Sequence, residues 1–201
     1  MFFVGIDPSL KSTGLVVLKD DEPKPVFAAD IKADKGKDGL LRVIDLRDGV
    51  MGNIAEHVNG CPVLIAIEGY ALHAMQNHRD LLEIGTALRL AIIQRKQRYV
   101  EPMPSQVQSF VGFKKPPKRK KGQPRRSSEQ VRLDALASKP HKEVLALWGF
   151  EHPSGDVIDA YVMAQIARAM SRKSTLKLTP AMQDVVLSTH HGASLGVAVG
   201  S

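Results

Sequence analysis

Apolar positions fall first into short runs and later into three- and four-residue spacings. Phe2–Asp7 (FFVGID) and Thr13–Lys19 (TGLVVLK) are runs of the first kind, separated by the turn residues 8–12. A third run covers 26–31. Three short runs with short connections predict an antiparallel meander. Leu40, Leu41, Ile44, Met51, Ile54, Ala55 and Val58 then follow a helical spacing, which Gly49 and Gly52 weaken in the middle. The continuous run PVLIAI at 62–67 predicts a strand covered on both faces. A long helix is expected over 77–97, with Leu81, Leu82, Ile84, Leu88, Ile92 and Ile93 on its apolar side. A short strand follows at 99–100, and Ser105 is the expected N-cap of a helix to 111. Helices are further predicted over 131–136, 142–147 and 156–170, the last capped by Ser154. The order β-β-β-α-β-α-β followed by helices predicts an α/β fold. Its mixed sheet has three antiparallel strands, then alternating strands, and is flanked by helices. Periodicity fades after Ser174, so the expected division is a domain at 1–174 and a loosely ordered C-terminal tail at 175–201.

A chain of 201 residues with 43% hydrophobic composition suits one domain with a real core. No apolar run approaches the roughly 20 residues of a membrane helix. Phe2 and Phe3 already belong to a strand-like run, so no signal or transit peptide is expected. The single cysteine, Cys61, excludes an internal disulfide and a multi-cysteine zinc site and fits a reducing, cytoplasmic setting. Cys61 itself is expected to be a small buried residue, and Trp148 and Phe150 are expected in the core.

Charge changes the picture more. The formal net charge of +7 is concentrated in KKPPKRKKGQPRR at 114–126. That segment holds Lys114, Lys115, Lys118, Arg119, Lys120, Lys121, Arg125 and Arg126 and no acid. Without these eight, 20 basic residues face 21 acidic ones. A nearly neutral domain with one polycationic segment is suited to neutralising phosphates by counterion release. The alternative is a solvated loop with no partner. Arg79, Arg89, Arg95, Lys96 and Arg98 could also face DNA, although long helices carry such charges on solvated faces anyway.

Candidate chemistry lies in four acids. Asp7 and Glu68 each close an apolar run, and a carboxylate there is costly to desolvate. Asp156 and Asp159 are three apart at the start of the last predicted helix and share one face. If the first and fourth strands are neighbours and that helix packs beside them, the four converge. Like charges so placed take up protons or bind cations. Oxygen ligands without His or Cys select Mg²⁺ or Mn²⁺, and a pair of such ions can promote phosphodiester displacement. Taken singly, Asp7 could be a turn residue, Glu68 a strand-end surface charge, and Asp156 a helix N-terminal charge. His152 is expected in a loop, and His73, His78, His190 and His191 show no paired ligand spacing.

The segments GIDPSLKSTG, AIEGY, PSQVQSFVG and GDVIDAYVMA resemble, in that order, the motifs of the RuvC-like Holliday-junction resolvases of the ribonuclease H-like superfamily. The resemblance implies a ribonuclease H-like sheet and a divalent-metal-dependent endodeoxyribonuclease acting on branched DNA, above all four-way junctions. Asp7, Glu68, Asp156 and Asp159 fall on the family's four acidic positions. There two Mg²⁺ ions, with Mn²⁺ as substitute, would bind and one would activate water, the cut leaving a 5′-phosphate and a 3′-hydroxyl. A homodimer making two symmetric incisions is implied as well. Tyr70 is the nearest match to an aromatic that stacks on DNA near the crossover, an interaction of about 1–3 kcal/mol. The chain departs from the family at Gln108, where a lysine is frequent, and at Ser127, Ser128 and Glu129, where a basic residue is common. Its basic loop is also longer, which bears on junction selectivity more than on cleavage. Competing readings are a nuclease of this fold for forks, flaps or three-way junctions, and a catalytically silent DNA-binding protein. An actin-like ATPase also begins with a strand, an Asp and a small-residue turn, but needs a longer chain and a second phosphate loop.

Overall fold

The computed structural model describes residues 1–20, 22, 24–69, 79–113, 140–171 and 177–191. Among the described residues six strands form one mixed sheet: β1 (Phe2–Asp7), β2 (Thr13–Lys19), β3 (Phe27–Ile31), β4 (Val63–Ile67), β5 (Arg98–Glu101) and β6 (His190–His191). Their spatial order is β3-β2-β1-β4-β5-β6. The first three strands pair antiparallel, as the meander pattern predicts, with Ile6 opposite Leu15 and Leu15 opposite Ala29. β1–β4 and β4–β5 are parallel, and β5–β6 is antiparallel. The two parallel pairs need crossovers. α1 (Gly39–Val58) lies between β3 and β4, and α2 (Arg79–Gln94) between β4 and β5.

The alternation of side chains splits the core into two layers. Val4, Ile6, Leu15, Val17, Ile65 and Ile67 face α1 and α2, where they meet Leu46, Val50, Met51, Ile54, Ile84 and Leu88. Phe3, Val16, Leu18, Leu64 and Ala66 face the opposite way. That second layer is closed by α3 (Pro104–Phe110), α4 (His141–Trp148), α5 (Gly155–Met170) and α6 (Pro180–Ser188). Every residue of α5 from 160 to 169 is buried. Such a helix needs cover on all sides, and its polar members must bond to one another. Gln165 Nε2 donates to the Tyr161 hydroxyl at 2.8 Å, Arg168 Nη1 donates to Gln165 Oε1 at 3.2 Å, and Arg168 Nη2 donates to the Glu22 carbonyl. The chain of bonds ties the end of α5 to the β2–β3 connection. Burial pushes the Tyr161 phenol above its ordinary pKa.

Several expectations are corrected. Gly49 and Gly52 do not interrupt α1; Gly49 lies where an added Cβ would be 3.0 Å from Ile31 Cγ2, so its bareness admits the edge of β3. Met103, not Ser105, is the N-cap of α3, because Pro104 takes the first helical position. The Gln106 side chain closes the cap by accepting the Met103 N–H at 2.7 Å. Cys61 is exposed, since it follows the left-handed residues Asn59 and Gly60 that end α1. Trp148 and Phe150 are half-buried, both packed on Tyr161. The loose tail expected from 175 does not hold for 177–191. There α6 buries Met182 and Val185 against α3 and α5, and β6 extends the sheet. The helix expected at 131–136 and the residues 192–201 lie outside the described residues. Among the described residues no helix is long and apolar enough to cross a membrane.

Candidate active site

Asp7 ends β1, and the turn behind it is fixed locally. The buried Thr13 hydroxyl donates to the Ser9 carbonyl at 3.0 Å, and its oxygen accepts the Ser9 N–H at 3.3 Å. Asp7 is 7% exposed. By the two-residue alternation of β1 it shares a face with Phe3 and Gly5, the face that α5 covers. Glu68 extends the parallel ladder beside it, its N–H donating to the Ile6 carbonyl at 3.2 Å. By the same alternation Glu68 shares the face of Leu64 and Ala66, which is again the α5 face.

Two glycines explain how α5 reaches these strand ends. A Cβ on Gly5 would lie 1.8 Å from the Ala160 carbonyl oxygen and 2.6 Å from the Ala164 nitrogen. A Cβ on Gly14 would lie 2.3 Å from the Asp156 carbonyl oxygen. The helix backbone therefore rests directly on β1 and β2. Gly14 is the register partner of Asp7, so the main chain of Asp156 stands one strand away from Asp7. Asp159 follows one turn along, next to Ala160. Both aspartates are partly exposed, whereas Val157, Ile158 and Ala160 around them are buried. Ser154 caps the helix by accepting the Val157 N–H at 3.5 Å.

The structure thus places the main chains of Asp7, Glu68 and Asp156 at one end of the central strands, with Asp159 one helical turn away. It does not close the side chains into a ligating set. Among the described residues no group of three or more His, Cys, Asp or Glu side chains is arranged to hold a metal ion. The donor chemistry and the main-chain positions fit a hard divalent cation.

Sequence reasoning missed Asp30 and misread Arg89. Asp30 on β3 is the register partner of Gly14 and so lies in the same row as Asp7; its Oδ1 accepts the Ser154 hydroxyl at 2.8 Å, tying the edge strand to the start of α5. Arg89 is not a solvated charge of α2. It is 8% exposed, and its guanidinium bonds the Glu68 carbonyl at 2.6 Å and the Glu101 carboxylate. Its place in the sequence carried a signal, since it stands three residues before Ile92 and four before Ile93, on the margin of the apolar stripe. A cavity of about 600 Å³ opens beside the start of α5, lined by His141, Lys142, Leu145, Glu151, His152 and Pro153. None of the four acids lines it, so it is not the acidic centre. His152 stacks on Phe150 there, and its Nδ1 accepts the Ser154 N–H at 3.1 Å. Tyr70, Lys114, Lys115, Lys118, Arg119, Lys120, Lys121, Arg125 and Arg126 lie outside the described residues.

No family model matches the sequence, and no curated protein matches it. Solved structures do. A structure of Thermus thermophilus RuvC superposes with a TM-score of 0.56 at 16% identity, covering 82% of this chain and 91% of that one. T. thermophilus RuvC in complex with a Holliday junction substrate superposes with a TM-score of 0.56 at 14% identity, covering 82% and 90%. At such identities the likeness is one of fold. The superposition makes this chain's fold, a mixed sheet flanked by helices, RuvC-like.

Proposed function

We propose that the protein is a divalent-metal-dependent endonuclease that cuts branched DNA, four-way junctions above all, with Asp7, Glu68, Asp156 and Asp159 as its metal-holding acids. The observation that carries this reading is the seating of α5 on Gly5 and Gly14. It brings acids from positions far apart in sequence to one end of the sheet, on one face. Ligand sites in such sheets gather at the carboxyl ends of central strands. The likeness to RuvC, including a form bound to a Holliday junction, points the same way.

Carboxylates brought to one strand end repel one another. They would hold Mg²⁺ or Mn²⁺, two per site, once cation charge offsets that repulsion. Bound there, such ions supply an activated water and stabilise charge on the phosphate oxygens. The chain's own part is positional. Asp7 is fixed by the Thr13-locked turn, Glu68 by the β1 ladder, and the aspartate pair by the capped start of α5. The polybasic segment 114–126 would neutralise backbone phosphates, and Tyr70 would stack near the crossover. Action at a junction further implies a homodimer, one active site per incision.

The test is incision mapping on four-way, three-way, flap and linear duplex DNA with Mg²⁺. Paired symmetric nicks on the four-way substrate, lost in Asp7→Asn with binding retained, are the expected result. Equal cutting of forks or flaps would move the substrate to branched DNA in general. Binding without any nicking by the wild type would leave a silent DNA-binding protein.

A further inference from the structure

We propose that Arg89 is the positioning residue of Glu68, holding the strand-end turn that presents this carboxylate; the role rests on the metal-site reading above. Glu68 closes β4, and presenting its carboxylate requires the direction of the chain beyond it to be fixed. Three bonds do so from outside. The Glu68 N–H donates to the Ile6 carbonyl at 3.2 Å, the Glu68 carbonyl accepts Arg89 Nη2 at 2.6 Å, and the Gly69 N–H donates to the Pro102 carbonyl at 2.9 Å. The first comes from β1, the second from α2, the third from the chain just after β5. Gly69 suits that third contact, because a Cβ there would fit tightly, 3.0 Å from Met103 Sδ and 3.2 Å from the Glu101 carbonyl.

Arg89 serves as the hub because its planar fork can reach two acceptors at once. Nε bonds the Glu101 carboxylate while Nη2 bonds the Glu68 main chain. The ion pair orients the guanidinium, and the guanidinium orients the Glu68 peptide. A lysine has no such fork and would serve one acceptor at a time. Its position explains why a cation is buried in α2 at all. Side chains that orient a metal-ligating residue in this way typically change metal affinity by about tenfold or more when removed.

The test uses the full chain. Arg89→Met alone leaves the Glu101 charge without its partner and risks misfolding, so the double variant Arg89→Met/Glu101→Gln removes both charges together. Mn²⁺ titration by calorimetry and amide hydrogen exchange of residues 68 and 69 are measured on the wild type, the double variant, Arg89→Lys and the control Arg95→Met. Arg95 bonds the Met51 carbonyl on α1, not the strand-end turn. The double variant is expected to weaken Mn²⁺ binding about tenfold and to lose protection at Gly69, with Arg89→Lys intermediate and Arg95→Met like wild type. Unchanged Mn²⁺ affinity and unchanged exchange in the double variant would overturn the role of Arg89 while leaving the metal site standing. A wild type that takes no Mn²⁺ would instead remove the metal-site reading, and the positioning role with it.

Discussion

The two faces of the sheet are built on different principles. Toward α1 and α2 the strands present Val4, Ile6, Leu15, Val17, Ile65 and Ile67, and the helices answer with equally large side chains. Contact there is bulk against bulk, and its stabilisation scales with apolar area, about 1.5–3 kcal/mol for each large side chain buried. Toward α5 the strands also present large side chains, Phe3, Val16, Leu18 and Leu64, but at Gly5 and Gly14 they are bare, and the helix backbone at Asp156, Ala160 and Ala164 rests on them directly. At those two seats no side chain stands between strand and helix to adjust, so the backbones themselves set where the helix lies. The acids lie on this second face. A bulky layer tolerates adjustment, whereas a backbone contact does not. A site that needs charged groups from a strand and a helix in fixed relation is best placed on the latter.

The contrast can be broken from either side, and the largest effect is expected at Gly5. The Cβ of Gly5→Ala would meet the Ala160 carbonyl at 1.8 Å, so α5 must move as a body. A loss of more than about 4 kcal/mol is expected, against a usual total of about 5–15. Denaturant unfolding would show it. Any folded remainder should bind Mn²⁺ poorly, since Asp156 and Asp159 shift with the helix. On the other face, Ile54→Ala leaves a cavity under α1 and should cost about 3 kcal/mol. Yet Mn²⁺ affinity and cleavage per folded molecule should stay at wild-type level. Equal damage to the site from both substitutions would erase the distinction between the faces.

These substitutions also show what was legible in the chain. Strand ends at Asp7 and Ile67 and the Ser154 cap were readable, because apolar runs, turn residues and capping side chains act within a few residues of themselves. The acids stood out for the same reason, as charges closing apolar runs. The seats at Gly5 and Gly14 were not readable. A glycine in a strand states that a Cβ is absent, not which distant helix uses the space. Arg89 was misjudged because its acceptors, Glu68 and Glu101, come from other strands. The 177–191 segment looked loose although Leu178, Ala181, Met182, Val185 and Val186 follow a helical spacing behind the Thr179–Pro180 start; that signal was present, and α6 packs on α3 and α5.

The smallest expected effect lies at the rim of the α1 face. Lys37 bonds Asp45 and Asp34, and Asp45 also accepts the Asp34 N–H at 2.7 Å. The hydrogen bond from Lys37 holds the Asp45 carboxyl below its ordinary value, and the Asp45 carboxylate raises Lys37. A depressed carboxyl contributes stability above its unfolded pKa of 3.8 and loses it as pH falls through the lower folded value. The raised Lys37 contributes below 10.5 and loses its share as pH rises past that value. In thermal melts across pH 2–5, Asp45→Asn should therefore fall slightly less steeply than wild type, with no change at the acidic site. A steeper fall would contradict the assigned sign.

The most direct test of the account is a crystal soaked in Mn²⁺ and measured for anomalous scattering. The account requires anomalous density bounded by the carboxylates of Asp7, Glu68, Asp156 and Asp159, with those side chains drawn in around it. Density elsewhere on the molecule, or none between these four at Mn²⁺ concentrations that support cleavage, would contradict it.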